Sequence, residues 1–210
     1  MVGNRENQSA SSADPALLEA FKSAATSIIS DNLQRLPGAN LRPFHRGGSM
    51  AGTAVTVRTA PGDNLFIHKS LELVRPGDVI VVDGGGDLSR ALVGEIMSLI
   101  ASTRGAAGLV IDGAIRDAGE IARSDFPVFA RGANHRGPYK NGPGEINVPV
   151  SIGGLIVSPG DIVVGDEDGV VAFPQAIASD LLIKVRAQEE REAEMLLSIR
   201  EGRYRGAYGH

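Results

Sequence analysis

The chain of 210 residues contains no cysteine and no tryptophan. Without cysteine there is no disulfide framework, no thiolate metal site and no cysteine nucleophile. Six phenylalanines and three tyrosines are the only aromatics, too few to expect stacking platforms for single-stranded bases. A basic excess is also lacking. Lys and Arg number 21 against 25 Asp and Glu, a net charge of −4, so the electrostatic footprint of a nucleic-acid binder is missing. No apolar run approaches the roughly 20 residues that span a bilayer, and the polar, Ser-rich start has no signal-peptide core. A cytoplasmic protein with neither nucleic acid nor membrane as partner is expected. Lysine stands only at Lys22, Lys69, Lys140 and Lys184. Glycine, in contrast, occurs 27 times, which favours tight turns and close approach of backbones.

The length suffices for one sizeable core. Residues 1–13 read as a disordered leader, 14–202 as one domain and 203–210 as a polar tail. Apolar spacing predicts a helix over 15–30, capped by Asp14 with Pro15 at its first position, and a short second helix over 31–36. Alternation over 50–60 predicts a strand. Helical periodicity follows over 64–74, then a buried strand over 79–82, a helix over 88–102, a strand over 109–111, a helix over 117–123 and a strand over 127–130. Residues 131–144 form a long polar loop of the kind that is functional or mobile. Strands at 147–152, 155–157, 162–164 and 170–173 precede an amphipathic helix over 177–199. Pro-Gly-Asp recurs at 61–63, 76–78 and 159–161, which reads as shared turn chemistry. Strands alternating with helices in the middle imply parallel βαβ units. The later run of strands implies antiparallel pairing. The fold class is therefore α/β, with mixed parallel and antiparallel sheets, expected as two, flanked by helices.

The chemistry concentrates at Gly108-Leu-Val-Ile-Asp112-Gly-Ala-Ile-Arg116-Asp117-Ala-Gly-Glu120. A buried strand ends in Asp-Gly, and Asp117 with Glu120 three residues on has the form of a capping box. Asp117 can be only that cap, with Arg116 in a surface ion pair. Equally, Asp117 can ligate a hard divalent cation while the Arg116 fork grips a carboxylate or an enolate oxygen. The turn Asp83-Gly-Gly-Gly-Asp87, with Gly94-Glu95 further on, can expose amides to an anion. It is neither a dinucleotide fingerprint nor a nucleotide P-loop. The histidines at 45, 68, 135 and 210 are scattered, which disfavours zinc. His68 reads as a core or groove residue, and His135 as a weak candidate for substrate contact. Glu189, Glu190, Glu192 and Glu194 read as a solvated helix face. No Gly-x-Ser-x-Gly elbow is present. The four lysines fall on predicted helices or in the 131–144 loop, which disfavours a Schiff base.

Taken together, Val82-Asp-Gly-Gly-Gly-Asp-Leu-Ser-Arg-Ala-Leu-Val-Gly94-Glu95, Gly105-x-x-Gly108-Leu-Val-Ile-Asp112-Gly-x-x-Arg116-Asp117, Pro127-Val-Phe-Ala-Arg-Gly132, Gly153-Gly-x-x-Val-x-Pro-Gly-Asp161 and Asp166-x-Asp-Gly-Val-Val resemble the RraA-like family. That is the regulator-of-ribonuclease-activity-A-like group, which includes the class II 4-hydroxy-4-methyl-2-oxoglutarate aldolases. The resemblance runs over roughly 16–201. It implies a swivelling β/β/α sandwich and a homotrimer or hexamer with sites at subunit boundaries. It also implies a metal, Mg²⁺ or Mn²⁺, on Asp117, with Arg116 on the pyruvyl group of a small 2-oxo acid. The backbone amides of Gly94, Glu95, Ile96 and Met97 are implied to bind the substrate carboxylate, with the Glu95 side chain helping to orient metal-bound water. A glutamate from a neighbour's C-terminal helix is implied as well, with Glu190, Glu192 and Glu194 as candidates. The expected function is a metal-dependent lyase. It would cleave 4-hydroxy-4-methyl-2-oxoglutarate to pyruvate, decarboxylate oxaloacetate, or both. The alternative is a non-catalytic regulator that binds an RNA-degrading endonuclease. No motif for a methyl donor is present.

Overall fold

The computed structural model describes residues 3–35 and 38–206. Leu36 at the end of the predicted second helix, Pro37, residues 1–2 of the expected leader and residues 207–210 of the tail, His210 among them, lie outside these.

The chain starts on the edge of the main sheet, where a disordered leader was expected. β1 (Asn4–Glu6) runs parallel to residues 144–146. Arg5 Nε donates to Glu145 Oε1 at 2.5 Å. Asn7 and Asn147 each donate a side-chain amide to the other's backbone carbonyl at 3.0 Å, and the Ala13 N–H donates to Thr53 Oγ1 at 2.9 Å. Polar segments can be ordered by such bonds with no apolar pattern to announce them.

The predicted helix over 15–30 is two helices, α1 (Pro15–Lys22) and α2 (Thr26–Asn32). Asp14 accepts the Ala16 N–H at 2.8 Å, the cap that the sequence predicts. The break comes from a distant residue: the Thr26 N–H and hydroxyl both donate to the Asp166 carboxylate, at 2.8 and 2.6 Å. A new helix therefore begins at Thr26.

After β2 (Arg42–Pro43) come β3 (Met50–Thr59), α3 (Leu65–Leu71), β4 (Asp78–Asp83), β5 (Ala91–Val93), α4 (Glu95–Thr103), β6 (Gly108–Ile115), α5 (Ala118–Ile121) and β7 (Val128–Ala133). β3, β4, β6 and β7 lie side by side in that order and run parallel. Each connection crosses a face carrying helices, as parallel pairing requires. β3 is the strand that alternation predicts, and it is buried along nearly its whole length. Thr56, in its middle, satisfies its hydroxyl by donating to the Val148 carbonyl at 2.6 Å. The predicted helix over 88–102 begins only at Glu95. Ala91–Val93 pairs with the end of β6 instead, and the Ala91 N–H donates to the Arg136 carbonyl at 2.8 Å.

The remainder is β8 (Gly144–Ile146), β9 (Val150–Ile152), β10 (Leu155–Val157), β11 (Ile162–Asp166), β12 (Gly169–Phe173) and the long α6 (Ala178–Arg200). β8 and β11 pair antiparallel with the two ends of the same edge of β3. One ten-stranded mixed sheet results, with β9–β10 as a separate hairpin. Three apolar cores fill the spaces. Ile80, Val82, Leu109 and Ile111 meet Phe66, Ile67, Leu71 and Met97 of α3 and α4. On the opposite face Val79, Val81, Val110 and Phe129 meet Val150, Ile152 and Val157. Phe21, Ile29 and Val185 cover Ile162, Val164 and Phe173. The fold is α/β, a large mixed sheet flanked by helices.

In α6, residues 190–197 are all exposed, so Glu190, Glu192 and Glu194 touch no core. Among the described residues no helix is long and apolar enough to cross a membrane.

Candidate active site

In open α/β sheets, ligands bind outside the carboxyl ends of the parallel strands. Here β3 leads there to Asn64, and β6 to Arg116 and Asp117. β5 runs parallel to the end of β6, with Val93 opposite Ile115, and the Arg116 N–H donates to the Val93 carbonyl at 2.9 Å. The chain after β5 therefore leaves the sheet beside the chain after β6. That brings Gly94 and the start of α4 against Arg116 and Asp117. Contact is so close that a Cβ at position 94 would stand 2.5 Å from Asp117 Oδ2 and 2.9 Å from Arg116 Cγ.

Asp117 does not form the predicted capping box. It stands at the start of α5 with φ +55°, a left-handed conformation that an aspartate can adopt at modest cost, and makes no side-chain bond to its own helix. Instead its Oδ2 accepts the Glu95 N–H at 3.1 Å, so the aspartate caps α4. Glu120 pairs with Arg123. Arg116 Nε lies 3.8 Å from Asp117 Oδ2, and the two side chains are 45% and 40% exposed. Both are thus free to meet a solute.

These groups border a cleft of about 320 Å³, lined by Gly94, Ile96, Met97, Arg116 and Asp117 together with Asn64, His68, Pro138 and Lys140. The first N–H bonded within α4 is that of Ser98, to the Gly94 carbonyl at 3.1 Å. Those of Ile96 and Met97 consequently have no acceptor in the helix, and with the positive end of the helix dipole they are available to an anion. The structure thus gathers five of the six sequence candidates around one cleft. Glu95 is the sixth. Its backbone N–H reaches Asp117, whereas its side chain borders a separate hollow with Ser98, Leu99 and Glu120. His135 lines a shallower groove on the other side of Arg116 and Asp117, with Asn134 and Arg136.

Three more residues line the cleft: Asn64, which the sequence reading did not single out, His68, read as a core or groove residue, and Lys140. Asn64 is buried and donates Nδ2 to the Leu92 carbonyl at 2.9 Å, while its Oδ1 has no partner among the described residues. Burial, and then the Lys140 ammonium, holds the His68 imidazole below the usual histidine range. Lys140 lies in the 131–144 loop, where the sequence places it, and it reaches the cleft from there. That segment is tied down at its start and in its middle. Asn134 Nδ2 donates to the Leu88 carbonyl at 2.7 Å, and Arg90 donates to the Gly137 carbonyl at 2.8 Å and to the Tyr139 hydroxyl at 2.7 Å.

Among the described residues no three His, Asp or Glu side chains converge on a metal position. An open, half-exposed carboxylate with one oxygen uncommitted fits a hard cation that keeps most of its ligands as water or substrate oxygens. Asp117 is such a carboxylate.

The RraA-like profile, described as Aldolase/RraA, matches residues 26–172. A protein of Halalkalibacterium halodurans that carries the provisional name 4-hydroxy-4-methyl-2-oxoglutarate aldolase is 39% identical over 181 residues, 85% of this chain and 86% of its own. The crystal structure of an uncharacterized Pseudomonas syringae pv. tomato protein superposes with a TM-score of 0.82 at 28% identity, covering 90% of both chains. The RNA-processing inhibitor RraA from Thermus thermophilis superposes with a TM-score of 0.67 at 34% identity, over 72% of this chain and 93% of its own. From the match along the sequence and the relatives that share it, the chain belongs to the RraA-like family.

Proposed function

We propose that the protein is a divalent-metal-dependent lyase that releases pyruvate from a small 2-oxo acid. The substrate is 4-hydroxy-4-methyl-2-oxoglutarate, oxaloacetate or both. The observation that carries the reading is the meeting of Arg116, Asp117 and the α4 amides in one cleft. The name borne by the Halalkalibacterium halodurans relative supports it.

Each group has a task. The Ile96 and Met97 N–H groups hold the carboxylate of the pyruvyl unit. Arg116 presents its planar fork to the same unit, where negative charge develops as the C–C bond breaks. Asp117 holds Mg²⁺ or Mn²⁺, which supplies Lewis-acid stabilisation of that charge when bound. For the hydroxy acid, the 4-hydroxyl loses its proton and the C3–C4 bond breaks. One pyruvate leaves as the ketone, and the other as an enolate that takes a proton at C3. Loss of CO₂ from oxaloacetate leaves the same enolate. The exposed Glu95 side chain, on the first turn of α4, can turn to the cleft mouth and exchange protons there. Exposed Ile96 and Leu99 beside the cleft support an assembly, trimer or hexamer, in which another copy closes the site.

The test is pyruvate release from both acids with Mg²⁺, with and without a chelator, for the native protein and Asp117→Ala. Turnover that the chelator abolishes, Mg²⁺ restores and Asp117→Ala lacks is expected. Turnover indifferent to both would overturn the reading. The likeness to an RNA-processing inhibitor favours a second one, docking on an RNA-degrading endonuclease. Absence of any turnover together with co-purification of such an enzyme would put that reading first.

A further inference from the structure

Three Pro-Gly-Asp turns share one sequence but use their aspartates differently. Each turn has its glycine in the left-handed region, at Gly62, Gly77 and Gly160. In each the aspartate N–H donates to the carbonyl three residues back, at 3.0 to 3.1 Å. In two of them the carboxylate closes the same turn: Asp78 accepts the Arg75 N–H at 2.9 Å and Asp161 accepts the Ser158 N–H at 2.8 Å. At the first turn the corresponding N–H belongs to Ala60, and it donates to the Pro143 carbonyl instead. That leaves the Asp63 carboxylate free for other donors.

It takes three. Asp63 Oδ1 accepts the Leu65 N–H at 2.9 Å, which fixes the start of α3. Oδ2 accepts the Asn141 N–H at 2.6 Å and the Gly142 N–H at 3.0 Å. Around it, the Tyr139 N–H donates to the Gly62 carbonyl at 2.8 Å and the Asn64 N–H to the Tyr139 carbonyl at 3.0 Å. The side chain is buried, at 3% exposure, so these charge-assisted bonds are protected from water. α3 carries Asn64 and His68 to the cleft, and the 134–143 segment carries Pro138 and Lys140. One carboxylate thus ties together two pieces of chain that line the cleft with Arg116.

We infer that Asp63 is a positioning residue, a buried clamp that sets one wall of the cleft by holding the Lys140 segment against α3. The inference rests on the cleft being the substrate site. The residue touches no substrate; its effect is on where Asn64, His68 and Lys140 stand. Displacement of such a wall by an ångström can cost on the order of 100-fold.

The variant that separates its two duties is Asp63→Asn. An amide keeps one oxygen for the Leu65 N–H but turns an NH₂ toward the Asn141 and Gly142 donors. KM for the 2-oxo acid should rise roughly tenfold or more with kcat changed far less, as expected when binding contacts are lost. Amide hydrogen exchange at Asn141 and Gly142 should quicken while α3 stays protected. Asp161→Asn unpicks a turn of identical sequence outside the cleft and should lower thermal stability without moving KM. Equal KM values for Asp63→Asn and the native enzyme, or the same KM rise in Asp161→Asn, would overturn the inference while leaving the proposed function standing. A native protein with no turnover on either acid overturns both. Should Asp63→Asn fail to fold, exchange in the native protein decides. Protected Asn141 and Gly142 amides support the clamp, and amides exchanging at solvent rates refute it.

Discussion

The Asp117 carboxylate accepts the Glu95 N–H at 3.1 Å, so the aspartate that opens one helix caps another, 22 residues earlier in the chain. The bond joins the two strand ends that make the cleft. It leaves one oxygen of Asp117 open and fixes the other, which orients the carboxylate before any ligand arrives. Glycine at position 94 is what permits the approach.

Gly94→Ala therefore tests the geometry directly. The backbone there is extended, with φ −145°, which alanine adopts without strain. The added Cβ would meet Asp117 Oδ2 and Arg116 Cγ inside contact distance. Turnover should fall on the order of 100-fold, with the melting temperature shifted by only a few degrees, as for a change of about 1 kcal/mol. Circular-dichroism melts alongside kcat measurements check both. Native turnover would mean that the pair can part without consequence.

Arg116→Lys keeps the charge and loses the planar fork. Because the Arg116 side chain is 45% exposed and its pairing with Asp117 is long, stability should hardly change. If the fork stabilises charge in the transition state, kcat should drop on the order of 100- to 1,000-fold. A change confined to KM would place Arg116 in ground-state binding only.

Lys140 lines the cleft and invites a covalent reading. The metal-dependent reading predicts otherwise: Lys140→Met should raise KM and leave measurable turnover. Borohydride added with pyruvate should not inactivate the native enzyme. Trapping of pyruvate on the chain, detected by mass, would replace the metal-dependent proposal with Schiff-base chemistry.

His68 gives a pH signature of definite sign. Burial, and then Lys140, lowers its pKa in the folded chain. Between that lowered value and the ordinary value near 6.5, the unfolded chain binds a proton that the folded chain does not. The His68 contribution to stability therefore rises with pH through this window and is lost as pH falls below the unfolded value. Urea unfolding at pH 5.5 and 7.5, in the native protein and in His68→Asn, should show the variant losing less stability on acidification. An equal loss in both would remove His68 as the cause.

Much of the architecture was written in local pattern. The Asp14 cap with Pro15, the apolar strand 79–82, the hairpin at 166–169 and the long helix to Arg200 all follow from spacing that neighbouring residues impose on one another. Arg116-Asp117 also stood out, because a strand ending in Arg-Asp is chemically unusual wherever it lies. What pattern missed is what depends on distant partners. β5 is three residues long and is a strand only because the end of β6 and Arg136 take its hydrogen bonds. A helical spacing across 88–102 could not reveal that.

The arm at 4–6 was misread for the same reason. A polar segment has no periodic signature, and its order comes from Glu145 and Asn147, 140 residues further along the chain. The sequence by itself determined the parallel units, the apolar cores and the residue types available for chemistry, since these depend on local periodicity and burial. Only the tertiary structure decided that Asp117 caps α4, that Gly94 must be bare and that Asp63 ties Lys140 to the cleft. Hydrogen bonds between strand ends and loops are set by how the sheet brings them together, and no spacing along the chain encodes that.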